Sequence, residues 1–112
     1  MAKLLSYTNP ITIPVLPLST HVDLTGVQKL DGFSHVNFAI VVNPPALFPL
    51  NARVFMGIFG ANPLFAQIDN FAVQTTQLDR IHSYAVTGPE LAIQLFGDPG
   101  ATYAIRAWVY LT

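Results

Sequence analysis

Seven glycines and nine prolines break this 112-residue chain at short intervals, and that punctuation decides its fold class. No stretch long enough for a surface helix repeats apolar residues at i, i+3, i+4 and i+7. Between the breaks lie short runs rich in Val, Ile, Phe and Tyr, which read as strands. They fall at about 11–18, 20–25, 34–43, 52–59, 64–73, 80–87, 91–96 and 102–111. Turn chemistry separates them at Asp31-Gly32, Asn43-Pro44-Pro45, Asn62-Pro63, Gly88-Pro89 and Asp98-Pro99-Gly100. Strands this short and this regularly spaced predict an all-β domain, an eight-stranded jelly roll or β-sandwich.

Side chains alternate across a strand, so the pattern also names the inner face. Val36, Phe38, Ile40 and Val42 share one side of their run, as do Val54, Met56 and Ile58, and Leu91, Ile93 and Leu95. In the last run Tyr103, Ile105, Ala107, Val109 and Leu111 point one way, and Ala104, Arg106, Trp108 and Tyr110 the other. That second side is not polar. Phe55 and Phe59 share a side with Arg53, and Phe96 with Gln94, so aromatics recur on faces that a two-layer sandwich cannot bury by itself.

The segment Asn9-Pro10-Ile11-Thr12-Ile13-Pro14-Val15-Leu16-Pro17-Leu18 alternates apolar residues, yet each proline removes a backbone donor. Proline confines it to an edge or to a role outside the ladder. Two readings fit: an edge strand on its own domain, protected by proline from further pairing, or an arm that adds a strand to the next subunit. Burying Ile11, Ile13, Val15, Leu16 and Leu18 on a neighbour would contribute on the order of 10 kcal/mol before ordering costs.

Charge narrows the partners. Five Lys or Arg and six Asp or Glu make up 10% of the chain, against about 25% in an ordinary soluble domain. A net charge of -1 with no basic stripe argues against nucleic-acid binding. Disorder does not fit 52% hydrophobic residues and 12% aromatics. The longest strictly apolar run, Phe38–Val42, is far short of a membrane-spanning helix, so no membrane insertion is expected. The first residues lack an apolar stretch of signal-peptide length, and the expected route out of the producing cell is lysis. With no cysteine, disulfides, thiolate metal sites and a cysteine nucleophile are excluded together.

The search for chemistry returns little. His21 and Asp23 share a strand face, as a metal or general-base pair would need, but two-residue spacings of this kind are commonplace. Ser34 and His35, and Ser83 and His82, are neighbours in sequence and so project to opposite faces. Asp23, Asp31, Asp79 and Asp98 adjoin turns, and Asp69 sits within a strand run. The expectation is a protein that is not an enzyme and holds no cofactor or metal. Trp108, Tyr110, Phe55 and Phe59 could stack sugar rings, but only Arg106 stands near Trp108 as a polar partner. A subunit interface accounts for the aromatics with fewer assumptions, since interfaces favour Tyr, Trp, Phe and Arg over Lys and Glu, and this chain has two Lys and one Glu.

Three stretches of the C-terminal half, Tyr84-Ala85-Val86-Thr87-Gly88-Pro89-Glu90-Leu91, Ile93-Gln94-Leu95 and Thr102-Tyr103-Ala104-Ile105-Arg106-Ala107-Trp108-Val109-Tyr110-Leu111, resemble small β-sandwich proteins of spore-forming bacteria. With the proline-rich N-terminal segment, the chain resembles the jelly-roll subunits of endospore appendages, fibres built by strand donation from an N-terminal connector. Those subunits carry N-terminal cysteines that cross-link the fibre, and this chain has none. The resemblance therefore implies a non-covalent homo-polymer on a bacterial cell or spore surface, extracellular, with an anchoring or tip protein as a further partner. Residues 1–18 would be the donor arm and 19–112 the sandwich. The expected subunit contacts are Ile11, Ile13, Val15, Leu16, Leu18, Phe55, Phe59, Trp108 and Tyr110. The alternatives are a carbohydrate-binding or attachment module using the face around Trp108, and a viral or phage jelly-roll subunit that closes into a shell or spike.

Overall fold

Where side chains alternate in and out, the chain forms strands, and their apolar sides meet in one core. The computed structural model describes residues 2–8, 10–15, 21–42, 50–73, 76–78 and 80–112. Ten strands run in chain order: β1 (Lys3–Tyr7), β2 (Pro10–Thr12), β3 (His21–Asp23), β4 (Gln28–Lys29), β5 (His35–Val42), β6 (Leu50–Ile58), β7 (Leu64–Ala72), β8 (His82–Ala85), β9 (Glu90–Gly97) and β10 (Thr102–Leu111). Among the described residues there is no helix. One sheet has the order β1-β10-β5-β8, with β2 also on β10; the other has the order β3-β9-β6-β7, with β4 also on β9. All the pairings are antiparallel.

β1 and β2 keep one register along β10, from Lys3 opposite Leu111 to Thr12 opposite Thr102, and so act as a single interrupted edge strand. β3 and β4 share β9 in the same way. Each sheet then has four strands, and the chain crosses between sheets at every connection except the β6–β7 hairpin. This is the jelly roll that the strand spacing predicts.

The core is the set of inner faces. Phe38, Val36 and Val42 of β5, Ile105, Val109 and Leu111 of β10, Leu50 and Val54 of β6, and Leu91, Ile93 and Leu95 of β9 are all buried. β10 carries the strictest alternation, buried at every odd position from Tyr103 to Leu111.

The N-terminal segment lies on its own sandwich. Pairing begins at Lys3, earlier than the expected start at residue 11, and the ladder ends as the sequence reaches Pro14. Ile13 closes it: its N–H donates to the Ala101 carbonyl at 2.9 Å, and its own carbonyl accepts from Gly100 at 2.8 Å. Its side chain is 0% exposed and belongs to the core, and the boundary expected at residue 18 lies outside the described residues. A Cβ at Gly97 would sit 2.8 Å from Tyr103 Oη and 3.1 Å from Ile13 Cγ1, which shows how tightly these groups meet. Leu16 and Leu18 lie outside the described residues.

Replacing Ile13 with alanine should therefore act as a core cavity rather than as a surface change. The expected loss is about 2–5 kcal/mol of unfolding free energy in urea titration. A loss within experimental error would mean that the segment does not pack as described.

Candidate functional site

Three places among the described residues gather aromatic and polar side chains outside the fully buried core. The first is the far end of the β6–β7 hairpin. Gly57 is forced there: its φ is +151°, and a Cβ would meet the Leu64 carbonyl at 2.4 Å. Opposite it, Phe65 makes an edge-on contact with Phe55 at 5.8 Å between ring centroids and stacks on Phe59 at 4.8 Å. Glu90 pins the base, accepting from the Phe59 N–H at 2.9 Å while lying 3.7 Å from Lys29 Nζ. At the tip Ile58 pairs with Leu64, and both stay open to solvent, at 49% and 78%, as does Phe65 at 49%. Among the described residues β7 pairs with β6 alone, so this apolar lobe adjoins the outer edge of the described sheet.

The second place is the outer face of the β1-β10-β5-β8 sheet. Trp108 lies between Ser6 on β1 and Ala39 on β5, and Arg106, two residues back on the same side of β10, lies opposite Val41. Small Ala39 leaves a depression beside the indole, and the segment Thr76–Leu78 forms part of its wall. The resulting groove has a volume of about 460 Å³ and is lined by Ser6, Thr8, Thr76, Gln77, Arg106 and Trp108 among others. Phe55 lies on β6 and Phe59 just beyond its end, whereas Trp108 and Tyr110 lie on β10 in the other sheet, so the expected aromatic contacts form two separate surfaces. Of the remaining expected contacts, Ile11 is half-buried on β2, and Val15 is exposed just beyond it.

The third is a polar cluster between the facing edges β7 and β8. The Tyr84 hydroxyl donates to Asp69 Oδ2 at 2.5 Å, and His82 Nδ1 lies 3.9 Å from the same oxygen. His82 stacks on Phe71 with centroids 3.7 Å apart. Sequence reasoning assigned Asp69 no role, because nothing local links it to residues more than ten positions away. Burial first, and then the hydrogen bond to Asp69, raises the Tyr84 phenol above its ordinary 10.0. The His21–Asp23 pair shares a face as expected, but His21 contacts Phe96 at 5.0 Å and Asp23 accepts from Gln94 Nε2 at 3.0 Å. Among the described residues, no group of three His, Cys, Asp or Glu side chains could hold a metal ion.

No protein-family model matches the chain, and no curated protein matches it either. Two solved structures are similar in fold. A chain in the structure of infectious bursal disease virus Gt strain superposes with a TM-score of 0.51 at 10% identity, and one from the Gx strain with a TM-score of 0.51 at 6%. Each alignment covers 98% of this chain and 32% of the viral one, so the protein spans about a third of the length of the chains it matches.

The Tyr84 cluster carries its own pH signature. The folded chain holds this proton more tightly than the unfolded chain does, so the stability it contributes is present below about pH 10 and is lost as pH rises above that. Melting temperatures recorded from about pH 9 to about pH 11 should fall with rising pH, and Tyr84→Phe should flatten that fall. Identical slopes for the two proteins would remove Tyr84 from the explanation.

Proposed function

We propose that this protein is a structural subunit that assembles with copies of itself, without covalent links, and that the β6–β7 lobe is one of its contacts. The observation that carries this is the lobe itself: Ile58, Leu64 and Phe65 exposed together beside β7, the edge strand of its sheet among the described residues. The rest of the surface fits. Eleven charged side chains are spread over 6457 Å², too few to keep a solitary molecule well separated from its neighbours. An exposed apolar cluster at a sheet edge is an association site or an aggregation liability, and a regular assembly resolves it as the former.

The finer reading is an extracellular fibre on a bacterial cell or spore surface, in which residues 1–18 are exchanged between copies. The place of β1–β2 supports it: the strand lies at the outer edge, has β10 as its pairing partner, and inserts one large side chain, Ile13, into the core. A neighbour's identical strand would make the same contacts, which is the low-cost route of domain swapping. A closed shell is the second reading. It is supported by the fold likeness to chains from a virus structure.

Burial of each large apolar side chain contributes about 1.5–3 kcal/mol. The double substitution Leu64→Asp, Phe65→Ser should therefore weaken self-association by about a hundredfold or more in sedimentation velocity, with the far-ultraviolet spectrum unchanged. An unaltered sedimentation profile would exclude the lobe as a contact.

A further inference from the structure

The groove on the outer face of the β1-β10-β5-β8 sheet lies away from the β6–β7 lobe and is not absorbed by the assembly reading. Its volume of about 460 Å³ falls within the roughly 300–1,000 Å³ of small-molecule sites. Its polar lining is of one kind. Ser6, Thr8 and Thr76 present hydroxyls and Gln77 an amide, groups that both donate and accept. Trp108 adds an apolar ring, and Arg106 adds a fixed positive charge. Among the described lining residues there is no carboxylate.

We infer that this groove binds an acidic saccharide, with the sugar ring against Trp108, its hydroxyls on Ser6, Thr8 and Gln77, and its carboxylate on Arg106. Each part of the ligand answers a part of the lining. Hydroxyl-dense ligands need short side chains able to act as donor or acceptor at each contact. An apolar sugar face suits an indole, whose large flat surface buries area at little entropic cost. A guanidinium with no carboxylate among the described lining residues selects a planar anion that it can grip through two parallel hydrogen bonds. The site also argues against a peptide strand. It lies on the face of the sheet and not along its β1 edge, so the main-chain pairing by which a peptide adds a strand is not on offer.

Local structure explains why these groups coincide. Arg106 and Trp108 fall on one side of β10 because the intervening Ala107 and the flanking Ile105 and Val109 are committed to the core. β1 then brings Ser6 into register with Trp108. The sequence signal was incomplete, because only the pairing of β1 with β10 and the approach of Thr76–Leu78 supply the polar partners.

Trp108 is the only tryptophan in the chain, so its fluorescence reads the groove directly. Titrating the purified protein with sialyllactose, with a glucuronate disaccharide and with neutral lactose should shift the emission saturably for the two acidic sugars, and more weakly for lactose. Arg106→Gln, an exposed position whose substitution leaves the core intact, should weaken the acidic sugars by about tenfold or more. No emission change with any of the three sugars, lactose binding as tightly as the acids, or equal titrations for Arg106→Gln and the unaltered protein would each overturn the assignment.

Discussion

β10 carries Tyr103, Ile105, Ala107, Val109 and Leu111 into the core and pairs with strands on both of its flanks. On one side it holds β5, itself buried at Val36, Phe38, Ile40 and Val42. On the other it holds β1 and β2, whose described pairings are with β10 alone. Strict alternation is what makes this possible. A shift of one residue would turn Arg106 and Trp108 into the core and five apolar side chains out of it, so the register is strongly specified. The groove is a by-product of the same constraint, because residues that cannot be inside must share the opposite face.

The two outer faces differ in chemistry. On the β3-β9-β6-β7 sheet, Arg53 lies 3.8 Å above the Phe96 ring, and the three stacked or edge-packed phenylalanines Phe55, Phe59 and Phe65 continue toward the hairpin tip. Aromatics and arginine with few other charges describe the centre of a protein–protein contact. On the β1-β10-β5-β8 sheet, hydroxyls surround a single indole and a single guanidinium within a concave surface. At the lobe Ile58, Leu64 and Phe65 stand open to solvent.

Much of the fold was legible because strands announce themselves locally. The runs placed at 34–43, 52–59, 64–73, 91–96 and 102–111 correspond to β5, β6, β7, β9 and β10 within a few residues. The N-terminal strand was harder. Ile11, Ile13 and Val15 alternate convincingly, but its position is set by pairing with β10 nearly a hundred residues away, which moves the ladder to Lys3–Thr12 and leaves Val15 72% exposed. β4, two residues long, is too short to show any pattern. The aromatics of the candidate surfaces were found in sequence as one group, yet Phe55 on β6, with Phe59 just past its end, lies on a different sheet from Trp108 and Tyr110. Sheet membership follows from topology and not from composition. The Asp69–Tyr84–His82 cluster was invisible for the same reason, since it exists only where two sheet edges face each other.

The central claim is that surface left without charge is reserved for further copies of the chain. Negative-stain electron microscopy of the purified 112-residue chain, paired with sedimentation velocity across a concentration series, tests it most directly. The expected result is a regular assembly of repeating subunits, filament or shell, that grows with concentration. A single monomeric species throughout the series would contradict it.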